Sequence, residues 1–323
     1  MAGSGFGTNF RITTWGETHG AGVGVVVDGC PAGLPLERED VQKYLDRRKP
    51  GQSKYTTQRK EGDQVEILSG IFEGRTTGTP ISMVVYNKDQ RSKDYSNIKD
   101  IYRPGHADFT FDMKYGFRDY RGGGRSSGRE TIGRVAAGAV AAKVLKELGI
   151  EIKAYAKAIA GIEVSKDHFD FAEMNNNPFN MPDKEAAKLV QEKADQMIKE
   201  MDSIGGIIEC QITGMPVGIG ETVFDKLDAE LSKAIMSIGS VKGFEIGDGF
   251  EAANLRGSEN NDDFICVDGK VEKETNHSGG VLGGMSDGSA IVFRAAIKPT
   301  PSIAQTQKTV NRDLDNVEIE IHG

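Results

Sequence analysis

The stretch SGRETIGRVAAGAVAAKVLKELG, residues 127–149, gives the strongest indication of fold. Its opening SGRE follows the S-x-x-E pattern of a capping box, in which a serine and a glutamate each accept a hydrogen bond at a helix N-terminus. The run Val135–Ala142 that follows is apolar on every side and consists of small residues. A helix without a polar face lies inside a protein. We therefore predict a buried helix that begins after Ser127 and ends near Gly149.

Strands and further helices flank this helix in the sequence without a regular alternation. Alternating or β-branched runs predict strands, and capped or amphipathic runs predict helices. The predicted strands are 20–29, 64–71, 81–86, 206–213, 290–298 and 317–321, and the other predicted helices are 35–48, 185–202 and 224–238. This mixed order favours an α+β fold over a doubly wound sheet.

Domain organisation follows from length and from the lack of a linker. A chain of 323 residues corresponds to about two domains of usual size. No sharp linker divides the sequence, and residues 165–184 are typical of an exposed connection. We therefore predict one domain over 1–323.

The composition is that of an ordinary globular protein, with 37% hydrophobic and 27% charged residues. The formal charge of −8 argues against a general nucleic-acid-binding protein, which carries a basic surplus. No apolar run reaches the roughly 20 residues of a membrane-spanning helix. Glycine is in excess at 41 residues, so many backbone positions must form turns or approach other groups closely.

The cysteines and the N-terminal sequence indicate a reducing compartment. Cys30, Cys210 and Cys266 are far apart and form no C-x-x-C pair, which argues against a disulfide framework or a thiolate zinc site. The first seven residues lack the basic and apolar regions of a signal peptide. We therefore predict a cytoplasmic protein.

Basic residues are concentrated in two segments of this acidic chain. Residues 43–60 carry seven basic side chains against one acid, and residues 103–134 carry seven against four. Arginine binds carboxylates and phosphates through paired hydrogen bonds, so these segments predict a site for a small polyanion. The alternative is a set of solvated helix faces.

A glycine-rich segment, RGGGRSS at residues 121–127, lies directly before the predicted helix start. Glycines allow the backbone to approach a ligand, and the free N–H groups of a helix start bind anions. The spacing differs from a Walker A loop, and no clear strand precedes it as in a dinucleotide-binding fingerprint. We predict phosphate binding here, with a flexible glycine turn as the alternative.

Two histidines lie in glycine-containing turns, where functional residues concentrate. His19 is part of GETHG at 16–20, and His106 is part of RPGHAD at 103–108. Each is a candidate proton donor or acceptor near neutral pH, and the alternative for each is a structural imidazole. His106 and Asp108 have the spacing of a metal-binding pair, but no third ligand cluster is evident, so we predict no metal site.

Taken in order, these segments resemble the chorismate synthase family over essentially the whole chain. The likeness lies in GETHG (16–20), DGCPAG (28–33), RRKPG (47–51), RPGHAD (103–108), GRSSGRET (124–131), GFEIGDGF (243–250), NHSGGVLGG (276–284) and KPTPS (298–302). A single motif of this kind is weak, whereas the ordered set is specific.

The resemblance implies a fold and a reaction. The family fold is a β-α-β sandwich with helices between two antiparallel four-stranded sheets, assembled as a homotetramer. The family converts 5-enolpyruvylshikimate 3-phosphate to chorismate and phosphate by a 1,4-anti elimination, the last common step of the shikimate pathway to aromatic amino acids. The reaction requires reduced FMN without net redox change. NADPH is an indirect reductant, used by the enzyme itself or by a separate flavin reductase.

The resemblance also assigns roles to individual residues. Binding of the substrate or NADP is assigned to Arg48, Lys54, Arg103 and Arg129. Binding of FMN is assigned to Arg125, Ser126, Ser127, Gly239, Ser240, Gly283, Lys298, Pro299, Thr300, Pro301 and Ser302. His106 would protonate the departing phosphate, and His19 would protonate the reduced flavin.

The end of the sequence differs from the family pattern. The family continues past the position of Gly323 with an Arg-His-Asp-Pro-Cys motif and a terminal helix. Its arginine contacts FMN, and its aspartate forms a proton relay with the residue at Thr18. From the resemblance we expect this C-terminal segment to be missing here, and a protein that ends at Gly323 to bind flavin weakly.

Overall fold

The structure is a computed structural model that describes residues 3–56, 61–88 and 98–321. Arg59 and Lys60 of the first basic segment, and Gly323, lie outside the described residues. The strands are β1 (Gly5–Phe6), β2 (Arg11–Gly16), β3 (Gly22–Asp28), β4 (Val65–Ile67), β5 (Ile71–Phe72), β6 (Arg75–Thr76), β7 (Ile81–Tyr86), β8 (Glu151–Ile159), β9 (Ile162–Glu163), β10 (Gly206–Thr213), β11 (Val241–Ile246), β12 (Phe264–Val267), β13 (Lys270–Lys273), β14 (Val281–Leu282), β15 (Met285–Ser286), β16 (Ile291–Ile297), β17 (Gln307–Val310) and β18 (Asn316–Ile319). The α-helices are α1 (Arg38–Arg48), α2 (Asp108–Tyr115), α3 (Thr131–Glu147), α4 (Lys184–Lys199), α5 (Leu227–Met236) and α6 (Gly257–Asn260).

The chain divides into two compact units. The first comprises Met1–Val144 with Pro301–Gly323, and the second comprises Leu145–Thr300. The long helix α3 belongs mostly to the first unit, and its last residues belong to the second.

The first unit contains an antiparallel five-stranded sheet in the order β1-β2-β3-β7-β4. Its central strand β3 is buried along most of its length, and its valines pack against α1 and α3. Gly133 of α3 permits this approach, because a Cβ there would lie 3.1 Å from the carbonyl oxygen of Gly24 in β3. The small residues of α3 therefore bring the helix close to the sheet.

The second unit contains another antiparallel five-stranded sheet, in the order β11-β16-β10-β8-β9. Cys210 and Ile212 of β10, together with Ile291 and Phe293 of β16, form one buried face. Leu227, Leu231 and Ile235 of α5 pack against this face. Helix α4 packs in a separate cluster around Met181 and Val190.

The α+β class is confirmed, but the expected four strands in each sheet are wrong, because both sheets have five. Each sheet has a two-residue strand at one edge, β1 in the first and β9 in the second. Strand β9 follows β8 through a two-residue turn in which Ala160 and Gly161 both have positive φ. This is the backbone form of the tightest hairpin turns.

The predicted element positions are largely confirmed. Strands β7 and β10 have the predicted bounds, and helices α1, α4 and α5 lie within two or three residues of their predicted ranges. The predicted strand at 64–71 is wrong as a single element, since β4 ends at Ile67 and β5 starts at Ile71.

The predicted capping box at the start of α3 is only half correct. Ser127 does cap, but it accepts from Arg129 N at 3.3 Å and starts a short 3-10 turn, Gly128–Glu130, ahead of α3. Glu130 is engaged elsewhere: it accepts hydrogen bonds from Thr14 Oγ1 and Arg134 Nε. Its carboxylate therefore ties the helix start to β2.

Within the described ranges, no helix is both long enough and apolar enough to cross a membrane.

The three cysteines are free thiols, with Cys30 and Cys210 buried and Cys266 exposed. Burial raises the pKa of the Cys210 thiol to about 11 and also raises the pKa of Cys30. Both buried thiols are therefore protonated at neutral pH.

The difference in exposure between Cys266 and the two buried cysteines predicts one fast-reacting thiol in the native protein. Because the thiolate is the nucleophile and access is required, Cys266 should react with Ellman's reagent at pH 8 before the other two thiols. Cys30 and Cys210 should react only after denaturation. The Cys266→Ser variant should show no fast phase, and a fast phase that persists in this variant would contradict the described burial.

Candidate active site

A buried carboxylate joins two of the arginines expected to bind substrate. Asp63 Oδ2 accepts from Arg48 Nη1 at 2.7 Å, and Asp63 Oδ1 accepts from Arg129 Nη1 at 3.1 Å. The Asp63 side chain is fully buried, and its backbone has φ of 42°. Arg129 Nη1 also lies 4.0 Å from Oε1 of the buried Glu61, so two carboxylates face the two guanidinium groups and their charges balance.

Arg48 is held by further contacts at the start of α3. Its Nε donates to Thr131 Oγ1 at 3.2 Å, and its Nη2 donates to Gly128 O at 3.0 Å. Burial lowers the pKa of Arg48, and the positive charge of Arg129 lowers it further, whereas Asp63 opposes both effects. The guanidinium thus has a fixed direction and reduced hydration.

One N–H group of the Arg129 guanidinium, that of Nε, has no acceptor among the described residues. Its Nη2 donates to Asn87 Oδ1 at 3.0 Å, and its Nη1 faces Asp63. Its Nε is buried and has no hydrogen-bond acceptor among the residues that the structure describes. Because buried donors in native proteins are almost always satisfied, this N–H is suited to an oxygen of a bound carboxylate or phosphate.

His19 lies in the loop Glu17–Ala21 between β2 and β3 and is only 8% exposed. Gly122, in the glycine-rich segment, packs against its imidazole: a Cβ at Gly122 would lie 2.8 Å from His19 Cδ2. The neighbouring Thr18 Oγ1 is buried and has no hydrogen-bond partner among the described residues. The loop thus places a hydroxyl and an imidazole next to the glycine-rich segment.

Asp119 contributes a negative charge near His19. A paired hydrogen bond from Arg121 lowers the pKa of Asp119, and the electrostatic effect of His19 lowers it further. Asp119 is therefore ionised at neutral pH and interacts electrostatically with His19.

Arg125 contacts protein rather than projecting from the glycine-rich segment. Its Nη1 donates to Gly16 O at 3.0 Å, and its Nη2 donates to Thr14 O at 3.1 Å and to Thr14 Oγ1 at 2.6 Å. Ser126 Oγ donates to Gly123 O at 2.6 Å. These bonds attach the glycine-rich segment to the end of β2, directly before the His19 loop.

The glycine-rich segment leaves room beside its backbone. A Cβ built at Gly124 or at Gly128 would meet no atom within 4 Å. The buried Thr18 Oγ1 and Arg129 Nε, which lack hydrogen-bond partners among the described residues, both belong to the first unit. These features fit a large ligand that carries both hydrogen-bond acceptors and anionic groups.

His106 contacts the segment that the resemblance assigns to FMN. Its Nδ1 lies 2.9 Å from Pro104 O, and its Nε2 lies 3.0 Å from Ser302 Oγ. Because a backbone carbonyl only accepts, Nδ1 carries the proton in the neutral ring and Nε2 accepts from Ser302. Pro301 and Ser302 therefore lie in the first unit with His106.

Arg103 forms a buried ion pair with Asp108. Three hydrogen bonds of 2.8–3.1 Å join the Arg103 backbone N, Nε and Nη2 to the Asp108 carboxylate. Burial would raise the pKa of Asp108, but these bonds outweigh it and hold the pKa below its usual value. Both Asp108 oxygens thus face Arg103, and no group of three His, Cys, Asp or Glu side chains suited to a metal occurs among the described residues.

Sequence analysis missed a second shared carboxylate, that of Asp112. It accepts from Arg118 Nη1 at 2.6 Å and from Arg312 Nε and Nη2 at 2.7–3.0 Å. Arg312 lies in the turn between β17 and β18, two hundred residues away in sequence. This contact fixes α2, and with it the His106 segment, to the C-terminal hairpin of the first unit.

The remaining expected FMN residues lie in the second unit. The Lys298 backbone N–H donates to Ser240 O at 2.9 Å, so the Gly239–Ser240 turn before β11 lies beside the Lys298 segment after β16. Thr300 O accepts from Ser203 Oγ at 2.7 Å. Pro299 packs against Gly205, where a Cβ would lie 3.1 Å from Pro299 Cδ.

Gly283 and Lys54 occupy exposed positions. Gly283 lies at the tip of the β14–β15 hairpin with φ of +61°, and a Cβ there would meet only Met285 Cε at 4.0 Å. Lys54 is exposed in a turn, with its Nζ 5.0 Å from the centre of the Tyr55 ring. Both positions are accessible to a ligand.

The chain is similar over its whole length to known proteins. A family model described as chorismate synthase matches residues 10–323. A chorismate synthase of Lachnospira eligens is 68% identical over 323 residues, which cover 100% of this chain and 88% of the relative. A chorismate synthase of Methanococcoides burtonii is 57% identical over 326 residues, with 100% and 89% coverage.

Structural similarity agrees with these matches. A solved structure described as "Crystal Structure of Chorismate Synthase" aligns with a TM-score of 0.77 and 33% sequence identity. The alignment covers 90% of this chain and 85% of the solved chain.

Removal of the negative charge of Asp63 should lower the stability of the protein strongly. Asp63→Asn keeps the side-chain shape and a residue type that tolerates positive φ, but removes the charge. We expect the free energy of unfolding to fall by roughly 3–5 kcal/mol, because Arg48 and Arg129 lose the buried carboxylate that they share.

Urea denaturation measures this change. Asp28→Asn is the matched control, because the side chains of the Asp28–Arg11 pair are 41% and 59% exposed. Its loss should stay below about 1 kcal/mol. Similar losses in the two variants would contradict the role assigned to Asp63.

Proposed function

The chain belongs to the chorismate synthase family, and from this we propose that it performs a 1,4-anti elimination of phosphate from 5-enolpyruvylshikimate 3-phosphate, which yields chorismate. Family membership makes it a carbon–oxygen lyase that acts on a phosphate ester. The observation that supports the substrate class is the arginine pair Arg48 and Arg129, in which the buried Nε of Arg129 has no acceptor among the described residues.

We propose that the substrate binds at this arginine pair. The substrate has two carboxylates and one phosphate, so it requires several cationic donors. Arg129 Nε supplies one donor without breaking an existing bond. Lys54, in an exposed turn, and Arg103, whose guanidinium is oriented by Asp108, complete the proposed cationic lining. Arg48 and Lys54 are also the proposed NADP contacts.

We propose that reduced FMN binds next to the glycine-rich segment. When bound, reduced FMN supplies electron density that promotes loss of the allylic phosphate. The open space at Gly124 and Gly128 fits such a ligand, as does the buried hydroxyl of Thr18, which has no partner among the described residues. The residues of the first unit that would hold it are Ser126, Ser127, Pro301 and Ser302. The FMN contacts that the resemblance assigns in the second unit, Gly239, Ser240, Gly283 and Lys298 through Thr300, stay predictions. Arg125 would act by orienting the segment, because its guanidinium already binds Thr14 and Gly16.

His106 and His19 hold the protons in this proposal. His106 Nε2 shares a hydrogen bond with Ser302 Oγ, and in the protonated ring it would donate to a departing phosphate oxygen. His19 is buried beside Gly122, and the ionised Asp119 interacts with it electrostatically. In this proposal His19 would hold a proton near the flavin. Exclusion of water on substrate binding would strengthen both effects.

The assembly and cellular setting are part of the same proposal. We propose a cytoplasmic homotetramer that obtains reduced FMN through NADPH, either by its own use of NADPH or through a separate flavin reductase. Anaerobic assays with NADPH plus oxidised FMN, with and without an added reductase, distinguish these two routes.

The proposed reaction is tested by phosphate release from 5-enolpyruvylshikimate 3-phosphate under anaerobic conditions. Release should occur with chemically reduced FMN and should be absent with oxidised FMN or without flavin. Equal release in all three conditions would contradict the proposal and indicate a phosphatase.

The role of His106 leads to a further prediction. His106→Ala should lower kcat by about 10²- to 10⁴-fold, the usual contribution of a general acid. FMN affinity, measured by flavin fluorescence, should be nearly unchanged. The matched control is His168→Ala, because that imidazole is 50% exposed and pairs with a surface carboxylate, Glu185. Unchanged turnover in His106→Ala would remove His106 from the mechanism.

A further inference from the structure

Asn87, a residue with no expected role, connects the arginine pair to the His19 loop. It directly follows β7, whose last residue Tyr86 pairs with Gly22 at the start of β3. This register brings Asn87 beside Ala21, and the Asn87 backbone N–H donates to Ala21 O at 3.1 Å. The sheet therefore fixes Asn87 at the base of the loop.

The side-chain amide of Asn87 bridges the two ends of the loop. Its Nδ2 donates to Glu17 O at 3.0 Å and to Gly20 O at 2.9 Å. Its Oδ1 accepts from Arg129 Nη2 at 3.0 Å. The partners fix the orientation of the amide, since carbonyls only accept and a guanidinium only donates. All three of these side-chain bonds require an amide at this position.

The two carbonyls that Asn87 binds flank Thr18 and His19. On the other side of the loop, Gly122 packs against the His19 ring, so the imidazole is confined between the loop backbone and the glycine-rich segment. Loss of the two Nδ2 bonds would leave the Glu17 and Gly20 carbonyls without these donors. The loop backbone, and with it His19, would then be less well defined.

We propose that Asn87 is a positioning residue that couples Arg129 to the orientation of His19. This inference rests on the proposed function, in which Arg129 binds substrate and His19 holds a proton. Substrate that engages Arg129 Nε leaves the Nη2 bond to Asn87 intact. Arg129 with bound substrate would thus still donate to Asn87, whose amide binds both ends of the His19 loop.

Hydrogen exchange tests the structural part of this coupling. Asn87→Asp keeps an acceptor for Arg129 but replaces both donor hydrogens with a carboxylate oxygen. Amide exchange over residues 18–22 should rise about 10-fold in this variant, because two hydrogen bonds are lost. Exchange in β3 and α3 should be unchanged. The control is Asn254→Asp, since Asn254 is exposed and its amide donates one bond, to Glu251.

A double-mutant cycle tests the functional part. Asn87→Asp should lower kcat about 10-fold, because His19 is less well positioned, and should also raise KM, because its new carboxylate faces the substrate-binding Arg129. In a His19→Ala background, the same substitution should change kcat by less than about 2-fold, because the group that Asn87 positions is gone. A residue that only stabilises the fold would lower kcat equally in both backgrounds.

Two results would overturn the inference: unchanged exchange over residues 18–22, or an equal loss of kcat in both backgrounds. A wild-type chain that releases no phosphate with reduced FMN would instead contradict the proposed function. The exchange measurement requires no turnover, so it decides the role of Asn87 in that case as well.

Discussion

The buried carboxylate of Asp63 between Arg48 and Arg129 is the interaction on which the site depends. Two guanidiniums placed side by side repel each other and lose hydration, and a shared carboxylate offsets both costs. The buried carboxylate of Glu61 also faces Arg129, so the charges balance, and the cluster offers an anion the N–H of Arg129 Nε, which has no acceptor among the described residues. Arg48 comes from the end of α1 and Arg129 from the 3-10 turn that precedes α3, and Arg129 also binds Asn87, so these contacts connect α1, this turn and the end of β7.

The first unit repeats this arrangement of one acid with arginine partners. Asp112 binds Arg118 and Arg312, and Asp108 binds Arg103, so the His106 segment is oriented by charge-assisted hydrogen bonds. Such contacts are stronger than neutral ones and have defined directions. The arginines that the resemblance assigns to substrate are therefore already oriented by protein carboxylates before any ligand binds.

The sequence predicted the α+β class, the buried helix α3 and the bounds of β7 and β10, because hydrophobic periodicity is local information. The four strands per sheet that the family resemblance implied are wrong, because each sheet has five. The two-residue strands β1 and β9 are too short to carry a periodic pattern in the sequence. The sequence identified the two histidine turns from composition. It missed Asp63, Asn87 and Asp112, whose roles come from partners far away in sequence, and it placed the Glu130 carboxylate at a cap when Thr14 and Arg134 hold it.

A crystal structure of the protein with 5-enolpyruvylshikimate 3-phosphate and FMN tests the central claim most directly. The account predicts a substrate carboxylate or phosphate oxygen within about 3 Å of Arg129 Nε, with Asp63 still between Arg48 and Arg129. It also predicts that the flavin lies along the open side of Gly124. A substrate bound without contact to either arginine, or a flavin away from the glycine-rich segment, would contradict it.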